Sequence, residues 1–188
     1  MISILTMTYQ RHHILEEAIQ SYLCNNIVGT EMVILNDSPT VKYEYNHPNI
    51  RIINYPTRFP TLGQKLAYGF SQCKGQYIYR LDDDDLLSPF AIDLIKEQVK
   101  NDADIFRSTQ SYFLQNNIYQ GLMSNVNNGN CYAKCWLESI SIPDTTIVED
   151  YQLTFNRGGR IYSEEQGGRY TMIYRWNMNT YHISAAGV

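Results

Sequence analysis

Apolar positions along the chain fall into short blocks whose period changes from block to block. Residues 2–7, "ISILTM", form a short, β-branched, mostly apolar run that suits a buried strand. After "TYQRHH", Ile14, Leu15, Ala18, Ile19, Tyr22 and Leu23 recur at helical spacing, and Asn25-Asn26 supply a stop. "EMVILNDSP" gives a second strand ending at Asn36-Asp37, and "NIRIINYP" a third. "TLGQKLAYGFSQC" returns to the helical period, with Leu66, Phe70 and Cys73 on one side; "KGQYIYRL" is then a fourth strand. In "SPFAIDLIKEQVKN" the pattern predicts a helix capped by Ser88. Its first turn holds Pro89, where proline's missing N–H costs nothing. "ADIFRSTQ" returns to strand.

The second half is less regular. "STQSYFLQNNIYQGLM" predicts a hairpin turning near Asn116-Asn117, and "NGNCYAKCWLESI" a short helix capped near Asn130. "TIVEDYQLTFNRGG" sets an acidic pair, Glu149-Asp150, at the start of a helix, while the tail "RWNMNTYHISAAGV" carries no helical period. Apolar strands alternating with helices indicate an α/β domain with a largely parallel sheet. In such sheets ligands bind at the carboxyl ends of the strands. Thr8-Tyr9, Asn36-Asp37, Tyr55 and the run Asp82–Asp85 should therefore meet at one edge.

With 188 residues and no linker-like segment, a single domain over 1–188 is expected. A formal charge of −4, with no block of five basic residues, disfavours a nucleic-acid footprint and a basic membrane patch. No stretch is long enough to span a bilayer, and the start lacks the shape of a signal peptide. Cys24, Cys73, Cys131 and Cys135 form no CxxC pair and no zinc set, so reduced thiols in the cytoplasm are expected. The 16 tyrosines suit flat polar ligands such as bases and sugars, and equally a polar surface drawn from an AT-rich genome.

Four consecutive aspartates, Asp82 to Asp85, follow an apolar strand and precede a helix. They read either as a solvated loop with one acid capping the helix, or as a cation site. An apolar flank sharpens the repulsion among them, and a hard ion such as Mg²⁺ or Mn²⁺ would relieve it while holding a diphosphate. The pattern fits neither an EF-hand nor a P-loop, and no glycine cluster follows the first strand. Glu149-Asp150 reads either as a pair of first-turn acids or as a source for a general base away from the cation. Arg58 and Lys65 could reach a phosphate or act as structural cations; strand alternation could turn Arg80 away from the site. His12 and His13 read as helix-start residues.

Together these segments resemble the family 2-type glycosyltransferases of the GT-A fold. "SILTMTYQRHHILEEAIQSYLCNN" is similar to the family's opening strand, turn and helix, and "EMVILNDSP" to its aspartate-bearing second strand, with Asn36 in place of the first aspartate. "PTLGQKLAYGFSQCKGQYIYRLDDDDLLSP" resembles the stretch leading to the D-x-D signature, and "TIVEDYQLTF" the later "ED" motif. The resemblance implies a Rossmann-like three-layer α/β/α fold. Residues 1–107 would be the nucleotide-binding half; residues 108–188 would form the acceptor side and a short tail. It implies that Tyr9, with the main chain around Met7 and Thr8, walls the base, and that Asp37 accepts from a base N–H. Asp84 matches the direct metal ligand, Asp82 its companion toward the ribose, and Asp85 a supporting acid. Asp83 lies within the donor-binding run and is the one expected to matter least. Asp150 resembles the base, with Glu149 beside it, and His182 is a candidate late metal ligand. The expected activity is metal-dependent, inverting transfer from a nucleoside-diphosphate sugar, UDP-sugar favoured, to a saccharide or other hydroxyl acceptor, with Mn²⁺ or Mg²⁺ as cofactor. A nucleotidyltransferase and a non-catalytic nucleotide-sugar or carbohydrate binding protein are the alternatives.

Overall fold

The structure is a computed structural model that describes residues 1–124, 129–145, 149–164 and 168–176. Its first strand, β1 (Ile2–Thr8), is buried along its whole length. Two neighbours flank it in parallel: β2 (Thr30–Asn36) and β4 (Tyr77–Asp82), with β3 (Ile50–Asn54) beyond β2. The far side is built from β9 (Cys131–Ala133), β6 (Ile105–Ser108) and β10 (Ile161–Glu164). The order of this sheet is β10-β6-β9-β4-β1-β2-β3, and β9 alone runs antiparallel to its neighbours.

Strand alternation divides the core into two layers. Ile2, Ile4, Met32, Ile34, Tyr79 and Leu81 pack with Leu15, Ala18 and Ile19 of α1 (His12–Leu23) and with Ala91, Ile92 and Ile95 of α3 (Ala91–Gln98). The opposite face carries Leu5, Met7, Val33 and Ile78. There they meet Leu66 and Phe70 of α2 (Leu62–Gln72), Trp136 and Leu137 of α4 (Lys134–Ser139) and Leu153 of α5 (Glu149–Phe155). The α/β/α layering and the mostly parallel sheet are as expected. Among the described residues no helix is long and apolar enough to cross a membrane.

A second sheet has the order β5-β11-β7-β8, from β5 (Leu86–Leu87), β11 (Met172–Trp176), β7 (Gln110–Gln115) and β8 (Ile118–Ser124). β7 and β8 form the expected hairpin: Asn116 and Asn117 both take positive φ, 52° and 61°, as a tight primed turn requires. Strand β11 draws the aperiodic tail under the aspartate run, antiparallel to β5.

Two local expectations are corrected. Helix α3 begins at Ala91, not at Ser88; Ser88 and Pro89 lie in the turn before it, and Asn25 Oδ1, from the segment after α1, accepts from Ile92 N–H (3.1 Å). Residues 131–133 are a strand wedged between β4 and β6, because three fully enclosed residues have no period to read and tertiary pairing decides their form. Strands β5 and β10 were likewise too short or too irregular to register.

Candidate functional site

The parallel registers place Met7 opposite Asp82, Thr8 opposite Asn36, and Asn36 opposite Asn54. The strand ends carrying Tyr9, Asp37, Tyr55 and the aspartate run therefore do form one edge. Just past Tyr9, Gln10 adopts a left-handed conformation (φ 56°), and Arg11 then opens α1.

Around Asp37 the edge is tightly braced. Lys65 Nζ lies 2.6 Å from Asp37 Oδ1 and donates to the Thr8 carbonyl at 2.8 Å. Phe59 N–H donates to Asp37 Oδ2 at 3.1 Å. Lys65 is buried, and that burial pulls its pKa down although Asp37 opposes the shift. It thus ties the ends of β1 and β2 together, with two of its three donors committed. Each oxygen of Asp37 keeps a second lone pair. The guanidinium of Arg58 stacks over Tyr9, with Cζ 4.4 Å from the ring centroid. Tyr55 stacks on Phe59 (4.3 Å) and meets Tyr68 edge-on (4.9 Å), so this corner is lined with aromatic faces. Asn36, in place of an acid, is fully buried and holds Val41 O, Asn54 Oδ1 and Ser38 N–H.

Three arginines support the aspartate turn. Arg11 Nη2 lies 2.6 Å from Asp83 Oδ1, and its Nη1 lies 3.0 Å from Asp84 Oδ2. Arg80 Nη2 lies 3.0 Å from Asp82 Oδ1, and its Nη1 contacts Asp150 Oδ1. From β11, Arg175 N–H donates to Asp85 Oδ1 (2.9 Å), Nε donates to Asp84 O (2.5 Å), and Nη1 pairs with Glu17. Arg80 and Arg175 are buried at 3% and 2% exposure. Among these contacts five carboxylates meet three guanidiniums and a sixth, Asp85, meets a backbone N–H, leaving an excess of acidic groups.

That excess shows in the acids. Burial first, then Asp84 and Asp82, push Asp83 up to about 7 against the pull of Arg11. Asp85 is raised in the same way, and Tyr174 is raised by burial and by Asp85, Asp84 and Asp82. Asp82, Asp84 and Asp85 each offer an oxygen within 4.8 Å of the others, a hard donor set suited to a divalent cation. Asp83 is not among them: it is fully enclosed and serves as an anchor for Arg11.

Asp150 lies on α5 and reaches the site through Arg80, so the structure joins the acidic turn to the downstream motif. The side chain of Glu149, and all of His182, lie outside the described residues. Arg80 and Asp82 are two apart on one strand and share its face, a parity that could have predicted their contact. No comparable signal links Arg175 to the turn, since only the packing of β11 brings it there.

The model of the family described as glycosyl transferase family 2 matches residues 3–162. The chain belongs to glycosyl transferase family 2. This family 2 chain is 31% identical over 109 residues to the chondroitin synthase of Pasteurella multocida (strain Pm70), covering 54% of the chain and 11% of the synthase. It is 26% identical over 112 residues to the Escherichia coli chondroitin synthase, 56% of the chain and 16% of that protein. The family 2 chain thus spans a small part of these curated relatives. In three dimensions it matches S. aureus TarS 1–349 in complex with UDP-GlcNAc, with a TM-score of 0.75 at 12% identity, over 96% of the chain and 60% of TarS 1–349. The mannosyltransferase PcManGT from Pyrobaculum calidifontis, in complex with GDP-Man and Mn²⁺, gives 0.71 at 11% identity, over 96% and 58%. At such identities the likeness establishes the GT-A fold.

Proposed function

We propose that this family 2 chain transfers a sugar from a nucleoside-diphosphate donor, a UDP-sugar in the first instance, to a hydroxyl acceptor with inversion and in dependence on Mn²⁺ or Mg²⁺. The observation that carries the reading is the acidic set Asp82, Asp84 and Asp85, beside the Tyr9–Asp37 corner on one side and Asp150 on the other. Membership of the family, relatives named chondroitin and hyaluronan synthase, and fold neighbours bound to UDP-GlcNAc or to GDP-Man with Mn²⁺ support it.

In this reading Tyr9 walls the base, with the main chain of Met7 and Thr8 beneath it, and Asp37 accepts from a ring N–H. Arg58, stacked over the Tyr9 ring, braces that wall. Asp84 is the direct cation ligand, Asp82 its companion and the ribose contact, and Asp85 the third acid. When bound, a divalent ion supplies neutralisation of the diphosphate and of the charge that grows on it as it leaves. Asp150 removes the proton of the acceptor hydroxyl as that oxygen attacks the anomeric carbon from the face opposite the diphosphate. A direct displacement of this kind inverts the anomeric centre. Residues 1–107 supply the donor half and residues beyond 108 the acceptor side. The buried thiols Cys73 and Cys131 fit a reducing, cytoplasmic setting.

The test pairs binding with turnover. Asp150→Asn should bind UDP with Mn²⁺ as the wild type does in calorimetry, while release of UDP from UDP-GlcNAc falls by two or more orders of magnitude. Unchanged release would remove Asp150 from the base role.

A further inference from the structure

Arg80 stands between the donor side and the acceptor side. It leaves β4 two residues before Asp82, so both side chains project to the face that α5 covers. Its guanidinium touches Asp82 Oδ1 with one arm and Asp150 Oδ1 with the other, in a place almost closed to solvent. Helix α5 has anchors that do not involve this pair. Leu153 is fully buried, Asn130 Nδ2 donates to Thr154 Oγ1 (3.0 Å), and the Tyr132 hydroxyl lies 3.3 Å from the same oxygen. A buried ion pair is a poor stabiliser, because desolvation offsets most of its attraction. What it does supply is orientation, and a planar fork of donors fixes two carboxylates at a set angle where a lysine would not.

We propose that Arg80 is a positioning residue of the transfer reaction, holding Asp150 by one carboxylate oxygen and tying it to Asp82 so that the base faces the acceptor in one orientation. The proposal rests on the reading of Asp150 as base. Arg80 touches no substrate in this scheme; it acts through Asp150. Its loss therefore lowers turnover and leaves donor affinity intact or improved, since removing a positive charge beside Asp82 favours a cation there.

The test compares wild type, Arg80→Met, Arg80→Lys, Asp150→Asn and the double variant Arg80→Met/Asp150→Asn. UDP binding with Mn²⁺ is followed by calorimetry, and turnover by release of UDP from UDP-GlcNAc or of GDP from GDP-mannose. Arg80→Met should lose about 100-fold in kcat, with donor KM and UDP affinity unchanged or better. Arg80→Lys should recover part of the loss, and the double variant should be no slower than Asp150→Asn alone. Wild-type kcat in Arg80→Met, or losses that multiply in the double variant, would overturn the proposal. If Arg80→Met fails to fold, Arg80→Lys decides alone: reduced kcat with normal UDP affinity supports positioning, and normal kcat refutes it. Retained release in Asp150→Asn, or a wild type inert toward both donors, instead removes the base reading and this proposal with it.

Discussion

Replacing Asp83 with asparagine removes a charge from the most enclosed carboxylate of the turn while preserving its shape. Asp83 is fully buried, 2.6 Å from Arg11, and is pushed up to about 7 from an ordinary value of 3.8. A carboxyl whose folded pKa lies above its unfolded one contributes stability that is complete below about pH 4 and is lost as pH rises through about 7. The shift corresponds to roughly 4 kcal/mol between those limits. The asparagine variant keeps a neutral side chain throughout, so its stability relative to wild type should rise by about that amount from pH 4 to pH 8. Denaturant unfolding at closely spaced pH values, with chelator present, measures the difference and cancels the titrating groups remote from the turn. A flat difference would show that Arg11 offsets burial in full. A difference of opposite sign, with wild type gaining as pH rises, would show that the ion pair outweighs burial and would refute the account of the turn as over-charged.

Three other outcomes are expected. Arg175→Met should cost about 3 kcal/mol in urea unfolding, because the Asp84 carbonyl loses a charged donor in a buried place. Gly63→Ala should cost about as much, since a Cβ there would overlap the Pro143 carbonyl and force α2 away from the 143–145 segment. Chelation should abolish calorimetric UDP binding, and equal binding with and without Mn²⁺ would remove the metal role.

Much of the donor edge was legible because it follows from strand alternation and local motifs. Once "ISILTM", "EMVIL" and "YIYRL" read as parallel strands, their polar ends had to share an edge, and the registers between Met7, Asp82, Thr8 and Asn36 agree. The cations were less legible. Lys65 and Arg58 were open between phosphate contacts and structural cations; one braces Asp37 and the other stacks on Tyr9, partners that a basic residue's spacing does not specify. Arg175 could not be read at all: its tail is aperiodic, and only the pairing of β11 with β5 and β7 carries it under the turn. The helix start at Ala91 was missed because Asn25, far off in sequence, completes it.

The arginines also explain why four adjacent aspartates can be ordered. Arg11 takes the buried Asp83 and one oxygen of Asp84, and the backbone N–H of Arg175 takes Asp85, the other fully enclosed acid. The carboxylates that retain exposure are Asp82 and Asp84, with side chains 27% and 12% accessible. These are the two aspartates on which the D-x-D pattern falls. The enclosed Asp83 and Asp85 hold the turn's shape, while Asp82 and Asp84, each also beside an arginine, keep access to solvent. Three arginines do not match the carboxylates around them, so a negative excess remains at a turn whose exposed acids a cation from outside can reach. A turn held only for stability would have no reason to keep that excess, since swapping one exposed aspartate for asparagine would relieve repulsion without disturbing the buried pairs.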